Sequence, residues 1–331
     1  MTTRRSARAR ALSTRLRTLA GPTLGRASLL VLLAGVLLVP AAARAEIEIV
    51  DDTGRHLRLP APAQRIVSLA PHVTELLFAA GAGNRVVGVV EYSDHPPAAR
   101  GLPRVGGYSQ LDLEAVAALA PDLVIGWHSG NRGAHLERLG ALGIAVYLNE
   151  PRSLDDVARS LEQIGRLAGT SAVADAAAQD FRARRDALAA RYRDRPPVRT
   201  FYQIWDQPLM TVNDRHLIAD VIRLCGGRNV FGELPALAPR IGEEAVLAAD
   251  PEAIVASGMG EARPEWLDRW ARWPALAAVR AGNLFFVPPD LIQRHTPRIL
   301  DGAERLCAQL ETARERRGEH GAAGTPASEG L

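Results

Sequence analysis

Lysine is absent from this 331-residue sequence, and all 40 of its basic side chains are arginine. No physical requirement demands that, and it reads as coding bias. Cysteine is nearly absent: Cys225 and Cys307 are the only two, and they form no Cys-x-x-Cys pair of the redox or zinc-binding kind. Gly-x-Ser-x-Gly is missing, as is a glycine-rich phosphate loop ending in Lys-Ser/Thr, so neither a hydrolase nucleophile elbow nor a nucleotide cradle is available. Aromatic residues make up only 5%. The longest apolar run, Leu29–Val39, is far short of the ~20 residues a comfortable membrane span needs.

That run belongs to a targeting segment. Residues 1–45 carry eight Arg and no acid, and Ala43-Arg44-Ala45 supplies a small-x-small cleavage site. The expectation is a cleavable signal peptide over 1–45 and a periplasmic mature chain beginning near Glu46; an uncleaved anchor is the alternative. No Cys lies near the cut, which argues against a lipid anchor. Without the segment, 32 Arg stand against 37 acids, a net of −5, so the formal +3 gives no support for nucleic-acid binding. In an oxidising compartment the two cysteines suggest one disulfide, with two buried free thiols as the alternative.

What the sequence does contain is a repeat. Glu114, Ala115, Val116, Ala118 and Pro121 recur 130 residues later as Glu244, Ala245, Val246, Ala248 and Pro251. Asp122 becomes Glu252, Ile125 becomes Val255, and Gly130 becomes Gly260. Each copy reads as a short helix stopped at proline, an acid, then a buried strand. Gly226–Gly232 echoes Gly81–Gly88 in the same way.

Two similar lobes follow. Residues 46–64 read as a β-hairpin, turning at Asp51-Asp52-Thr53-Gly54, and a linker. Residues 65–169 alternate strands and helices, as do 196–312. Between them, 170–195 is one helix with apolar Val173, Ala177, Phe181, Leu188 and Tyr192. The predicted fold is α/β: two Rossmann-like lobes with parallel sheets joined by one long rigid backbone helix, which permits only small rocking because bending would break its hydrogen-bond ladder. The last helix is expected over Ile299–Leu310, and 313–331, rich in Gly, Ala and polar residues, as a disordered tail.

Ligands of open α/β sheets bind beyond the carboxyl ends of the strands. The loops there carry Tyr92, Tyr108, Trp127 and Trp205, flat groups with a polar handle that suit a bulky, partly polar ligand. The competing reading is that they cap their own strands. Trp266, Trp270 and Trp273, at helical spacing, read as core. His72, His95, His128 and His295 lie on the same set of loops; none forms a His-x-x-x-His pair, so hydrogen bonding by His128 or His295 is favoured over a metal cluster. Arg294 and Arg298 flank His295, where they could meet ligand oxygens, and Asp290 precedes them.

With these residues assembled, the chain resembles the helical-backbone periplasmic binding proteins of ABC importers, within them the cobalamin binders. The resemblance runs from Arg65 to Leu310. It rests on Arg65-Ile66-Val67-Ser68-Leu69-Ala70-Pro71 with Thr74-Glu75, on Tyr92-Ser93-Asp94-His95-Pro96-Pro97, and on Leu119-Ala120-Pro121-Asp122-Leu123-Val124-Ile125 with Trp127 and Gly130-Asn131. Leu224–Phe231 and Thr296-Pro297-Arg298 complete it.

The resemblance implies a corrinoid clasped between the lobes, no catalysis, no resident cofactor or metal, a monomer delivering to a membrane permease, and a Cys225–Cys307 disulfide. The ligand contacts it and the loops together suggest are Tyr92, Tyr108, Trp127, His128, Trp205, Asp290, Arg294 and His295. An iron-siderophore, haem or metal ion is the alternative ligand, and an exported enzyme using His128 or His295 as acid–base is a third reading. The chain also departs from the pattern. Where the family lines its cleft with aromatics, this chain has Tyr108, Ile204 beside Trp205, and Leu291. Where the family docks through one surface glutamate per lobe, it has Gly133 and Gln293, with Glu137, Glu261 or Glu265 as substitutes.

Overall fold

A computed structural model describes residues 46–323 apart from Met259 and Glu261. The expected signal peptide, and Glu261, lie outside the described residues.

Strands β1 (Ile47–Val50) and β2 (His56–Leu59) form the expected antiparallel hairpin. Its turn is built by Asp51, whose carboxylate accepts from the backbone N–H of Thr53 and Arg55 and pairs with the Arg55 guanidinium at 2.8 Å. Asp52 anchors the turn to the N-terminal lobe, accepting from Glu150 N (2.7 Å) and Asn149 Nδ2 (3.1 Å).

The first lobe contains β3 (Ile66–Ser68), α1 (Pro71–Ala79) and β4 (Val86–Val89). A small ribbon, β5 (Gly106–Gly107) and β6 (Gln110–Leu111), precedes α2 (Leu113–Ala118) and β7 (Leu123–Trp127). Then come α3 (Gly133–Ala141), β8 (Ala145–Asn149) and α4 (Leu154–Ala168). The main sheet is all parallel in the order β4-β3-β7-β8. Helix α4 starts on a capping box, with Ser153 Oγ accepting from Asp156 N and Asp156 accepting from Ser153 N; such a cap is worth about 1 kcal/mol.

Helix α5 (Ser171–Tyr192) is the predicted connector. At 1.5 Å per residue it is about 33 Å long. It lies against α4, where Gly165 admits Ala174 so closely that an added Cβ would collide with it.

The second lobe repeats the first in simpler form: β9 (Val198–Gln203), α6 (Leu217–Leu224), β10 (Gly227–Asn229), α7 (Glu243–Ala249) and β11 (Ala253–Ala256). It continues through α8 (Ala277–Arg280), β12 (Leu284–Phe286), α9 (Pro289–Ile292) and α10 (Ile299–Ala323). Its parallel sheet runs β10-β9-β11-β12, so the repeated strands β7 and β11 hold the same sheet position.

The repeat is also chemical. Asp122 accepts from the backbone N–H of Gln64 and Arg65, ahead of β3. Glu252 accepts from Arg199 N at the start of β9. The Arg65 guanidinium donates to Leu119 O and Ala120 O, and that of Arg199 to Ala249 O. Ala120 and Asp250, each directly before the repeated proline, both take a left-handed backbone, with φ of 43° and 40°. The residue before a proline is excluded from the helical region, and the reversal ends each helix.

Three expectations need correction. The last helix does not stop at Leu310, and 313–323 is helical, not tail. Ala313 is buried there, and Arg314 donates to Pro196 O, Cys225 O and Gly226 O, docking contacts that outweigh the polar composition. Residues 265–272 form a 3-10 helix, in which Trp270 is buried and donates to Gln203 Oε1, while Trp266 is half-buried and Trp273 lies at the surface. The sequence places a helix over His216–Leu224; in the structure His216 precedes α6, and its Nδ1 accepts from Ile218 N as the helix cap.

The Cys225–Cys307 disulfide joins the end of α6 to α10. One apolar core runs without a break from Ile49 through α4 and α5 to Ala313 in α10. The two lobes therefore share buried surface, and Leu154 N at the start of α4 donates to Asp220 in α6 across the junction.

Candidate ligand-binding cleft

The cleft floor forms where β7 ends. Trp127 is the last residue of that strand, and its backbone N–H donates to Asn131 Oδ1 at 2.7 Å. Asn131 Nδ2 in turn donates to Leu69 O, beyond β3, and to Tyr108 O, between β5 and β6. One buried amide thus ties three strand-end loops together. The indole lies over Gly130, where an added Cβ would run into the ring.

Around Trp127 the lobes meet in a cluster of rings. Its indole meets His72 edge-on at 5.3 Å and His295 edge-on at 6.5 Å, and lies 5.9 Å from Tyr108. His295 sits 5.6 Å from His72 and 5.9 Å from His216. His72 and Trp127 come from the first lobe, His216 and His295 from the second. Burial pushes the pKa of His72 down to about 4, against the opposing pull of Glu75, and that of His216 to about 4. Burial, with His72 and His216 nearby, takes His295 well below its ordinary value. At neutral pH the floor is therefore uncharged and aromatic. Trp127 Nε1, His72 Nε2 and His295 Nδ1 are buried without a hydrogen-bond partner among the described residues.

Above this floor opens a cleft of about 140 Å³, lined by Trp127, His216 and His295 with Ile204, Leu217 and Leu237. Glu150, Arg152, Arg215 and Gln293 supply its polar groups. Glu150 is fixed in place by accepting from Ser129 N and Ser129 Oγ, both at 2.9 Å.

Beside the cleft runs an ion-pair network between the lobes. Glu75 of α1 is buried and accepts from Arg298 Nε (2.9 Å), Arg298 Nη2 (2.8 Å) and Arg294 Nη1 (2.8 Å). Arg294 also pairs with Asp94 at 2.7 Å and Asp290 at 3.1 Å. The Asp94 carboxylate is held below its usual range: partial burial would raise it, but the hydrogen bond and charge of Arg294, a backbone hydrogen bond and the charge of Arg100 together outweigh that.

Of the residues singled out in the sequence, Trp127 and His295 come together in the cleft. Tyr108 touches Trp127 and is 42% exposed. Tyr92 follows β4 and is 72% exposed, with a left-handed φ of 63°. Trp205 follows β9, is 42% exposed, and lines a separate depression with Asp206, Gln207 and Trp266. His128 lies outside the cleft as well, in a polar depression with Asp52, Glu150 and Arg159. Asp290 pairs with Arg294, which is itself occupied by Glu75 and Asp94 of the first lobe. Among the described residues no three His, Cys, Asp or Glu side chains are arranged to hold a metal ion. Sequence reasoning missed His216, Gln293 and Glu150 as lining groups and Glu75 and Asp94 as ion-pair partners.

A strand-end cleft between two parallel α/β lobes, joined by one helix and a shared core, defines a class of receptor, and comparison with known proteins places this chain in it. Residues 66–291 match the family model described as periplasmic binding protein, and the chain belongs to that family. It is 37% identical over 260 residues to the vitamin B12-binding protein of Vibrio cholerae, covering 78% of this chain and 93% of the relative. It is 34% identical to the vitamin B12-binding protein of Yersinia pestis, over 77% of this chain and 89% of the relative. Among solved structures, the periplasmic vitamin B12-binding protein of Vibrio cholerae superposes with a TM-score of 0.71 at 36% identity, covering 77% of this chain and 99% of that one. A periplasmic heme-binding protein from Pseudomonas aeruginosa gives a TM-score of 0.64 at 28% identity, covering 74% and 92%.

Proposed function

We propose that the mature chain is a monomeric periplasmic solute-binding protein that captures cobalamin between its lobes and delivers it, chemically unchanged, to an ABC importer. The observation that carries this reading is the uncharged floor of Trp127, His72 and His295 at the lobe junction. Tyr92, Tyr108 and Trp205 are left exposed on strand-end loops. Flat rings suit the faces and edges of a corrin, and the buried ring nitrogens and the half-buried Gln293 suit its amide side chains. A corrinoid is too bulky to fit wholly within the cleft, so much of it rests on the exposed rings. The names of the Vibrio and Yersinia relatives support the same ligand.

The test is calorimetry of residues 46–331 against cyanocobalamin, haem and a ferric siderophore. One-to-one binding of cyanocobalamin alone is the expected result. Binding of haem or the siderophore in its place keeps the fold and overturns the ligand.

Delivery requires docking, and the family implies one surface glutamate on each lobe. Gly133 offers no carboxylate, and the Gln293 side chain is turned to Ser257 Oγ. The repeat supplies a better pair. Glu114 and Glu244 are exposed, occupy the first turns of the equivalent helices α2 and α7, and make no salt bridge among the described residues. Replacing both with alanine should leave cobalamin affinity within about twofold of wild type, because neither lines the cleft, and should abolish stimulation of the transporter's ATPase. Unchanged stimulation would remove the pair from the docking surface.

A further inference from the structure

Arg294 was expected to meet the ligand, yet both of its terminal nitrogens are already engaged by carboxylates. Nη1 donates to Glu75 and to Asp94, and Nη2 lies against Asp290. Glu75 and Asp94 belong to the first lobe, Asp290 and Arg294 to the second, so one guanidinium spans the junction. The two ends differ in their dependence on it. Buried Glu75 keeps two hydrogen bonds from Arg298 if Arg294 is removed. The Asp94 carboxylate has Arg294 as its only ion-pair partner among the described residues.

Asp94 lies two residues beyond Tyr92. The Tyr92 ring is 72% exposed and so makes little packing contact to fix it, and its backbone is left-handed, a strained conformation for a residue with a side chain. An exposed aromatic contributes to binding in proportion to how well it is held beforehand. Arg100 on Asp94 O, Arg104 on Ser93 O and Thr74 on Ser93 Oγ fasten the loop from within the first lobe. We infer that Arg294 is a positioning residue: by holding the Asp94 side chain from the opposite lobe, it adds the inter-lobe hold on the loop that presents the Tyr92 ring, so that this wall of the cleft is set before the ligand arrives. Selectivity for a broad, flat ligand then depends on a charge pair that does not itself touch the ligand.

The binding part of the test rests on the corrinoid reading; the exchange part does not. Asp94→Ala and Arg294→Met each remove the tether and leave the Glu75–Arg298 pair in place. In the ligand-free protein, amide exchange at Glu91–His95 should speed up by about tenfold in both variants, the scale of one lost charge-assisted hydrogen bond. Cyanocobalamin binding should weaken by roughly the same factor in Asp94→Ala, and not at all when the same change is made on a Tyr92→Ala background. Equal weakening in both backgrounds would mean that Asp94 acts independently of Tyr92, and would overturn the inference, as would unchanged exchange in the loop. Faster exchange in a protein that ignores cyanocobalamin would uphold the tether and refute the ligand.

Discussion

Gly130 illustrates how tightly single residues are specified at the cleft floor. No left-handed backbone demands glycine there; the Trp127 indole occupies the space a side chain would need. Gly130→Ala should therefore displace the ring and weaken cobalamin binding nearly as much as Trp127→Ala, with the fold intact by circular dichroism. Wild-type affinity in Gly130→Ala would show that the ring position is unimportant. The histidines carry a second prediction. The unfolded chain protonates His72, His216 and His295 near pH 6.5, whereas the folded chain holds the first two neutral to about pH 4, and burial holds the third well below its ordinary value. Stability should be fully present above pH 6.5 and fall as pH drops toward 4, by up to about 1.4 kcal/mol per pH unit for each histidine. Chemical unfolding between pH 7.5 and 4.5 measures the slope, and His216→Asn, which keeps a capping oxygen, should reduce it. A level profile would contradict burial of these rings. Trp127 was legible in the sequence because it ends a strand, and His295 because it lies in the segment between the last strand and the last helix. Glu75 and Asp94 were not, because their partner Arg294 lies 219 and 200 residues away and no local pattern encodes the encounter.

At the scale of elements, the Pro-acid repeat was the most readable feature, and its meaning is physical: Asp122 and Glu252 each anchor the first strand of their lobe. Strand order was not read from the sequence; in the structure β7 and β11 occupy matching sheet positions. The end of α10 was misread because composition suggests solvent, while Arg314, Arg316 and Arg317 donate to backbone carbonyls of the second lobe. The depth of the α6–α10 junction likewise emerged only in three dimensions. Cys225 and Cys307, 82 residues apart, are both fully buried there. Replacing both with serine should lower unfolding free energy by about 2–4 kcal/mol, mostly by freeing the unfolded chain. Urea unfolding of the two proteins checks this, and equal midpoints would mean that the disulfide is dispensable.

For the whole molecule, one continuous core and one stiff helix leave the lobes little freedom to swing, and the ion pairs of Glu75, Arg294 and Arg298 restrict it further. A cleft set in this way recognises its ligand by shape and aromatic contact more than by closure. The most direct measurement is the quenching of intrinsic tryptophan fluorescence on adding cyanocobalamin to residues 46–331, in parallel for wild type and Trp127→Ala. Saturable one-to-one quenching in the wild type, with affinity reduced at least tenfold in the variant, is the predicted result. Equal affinity in the two proteins would place the ligand somewhere other than this cleft, and no saturable response in the wild type would contradict the receptor reading itself.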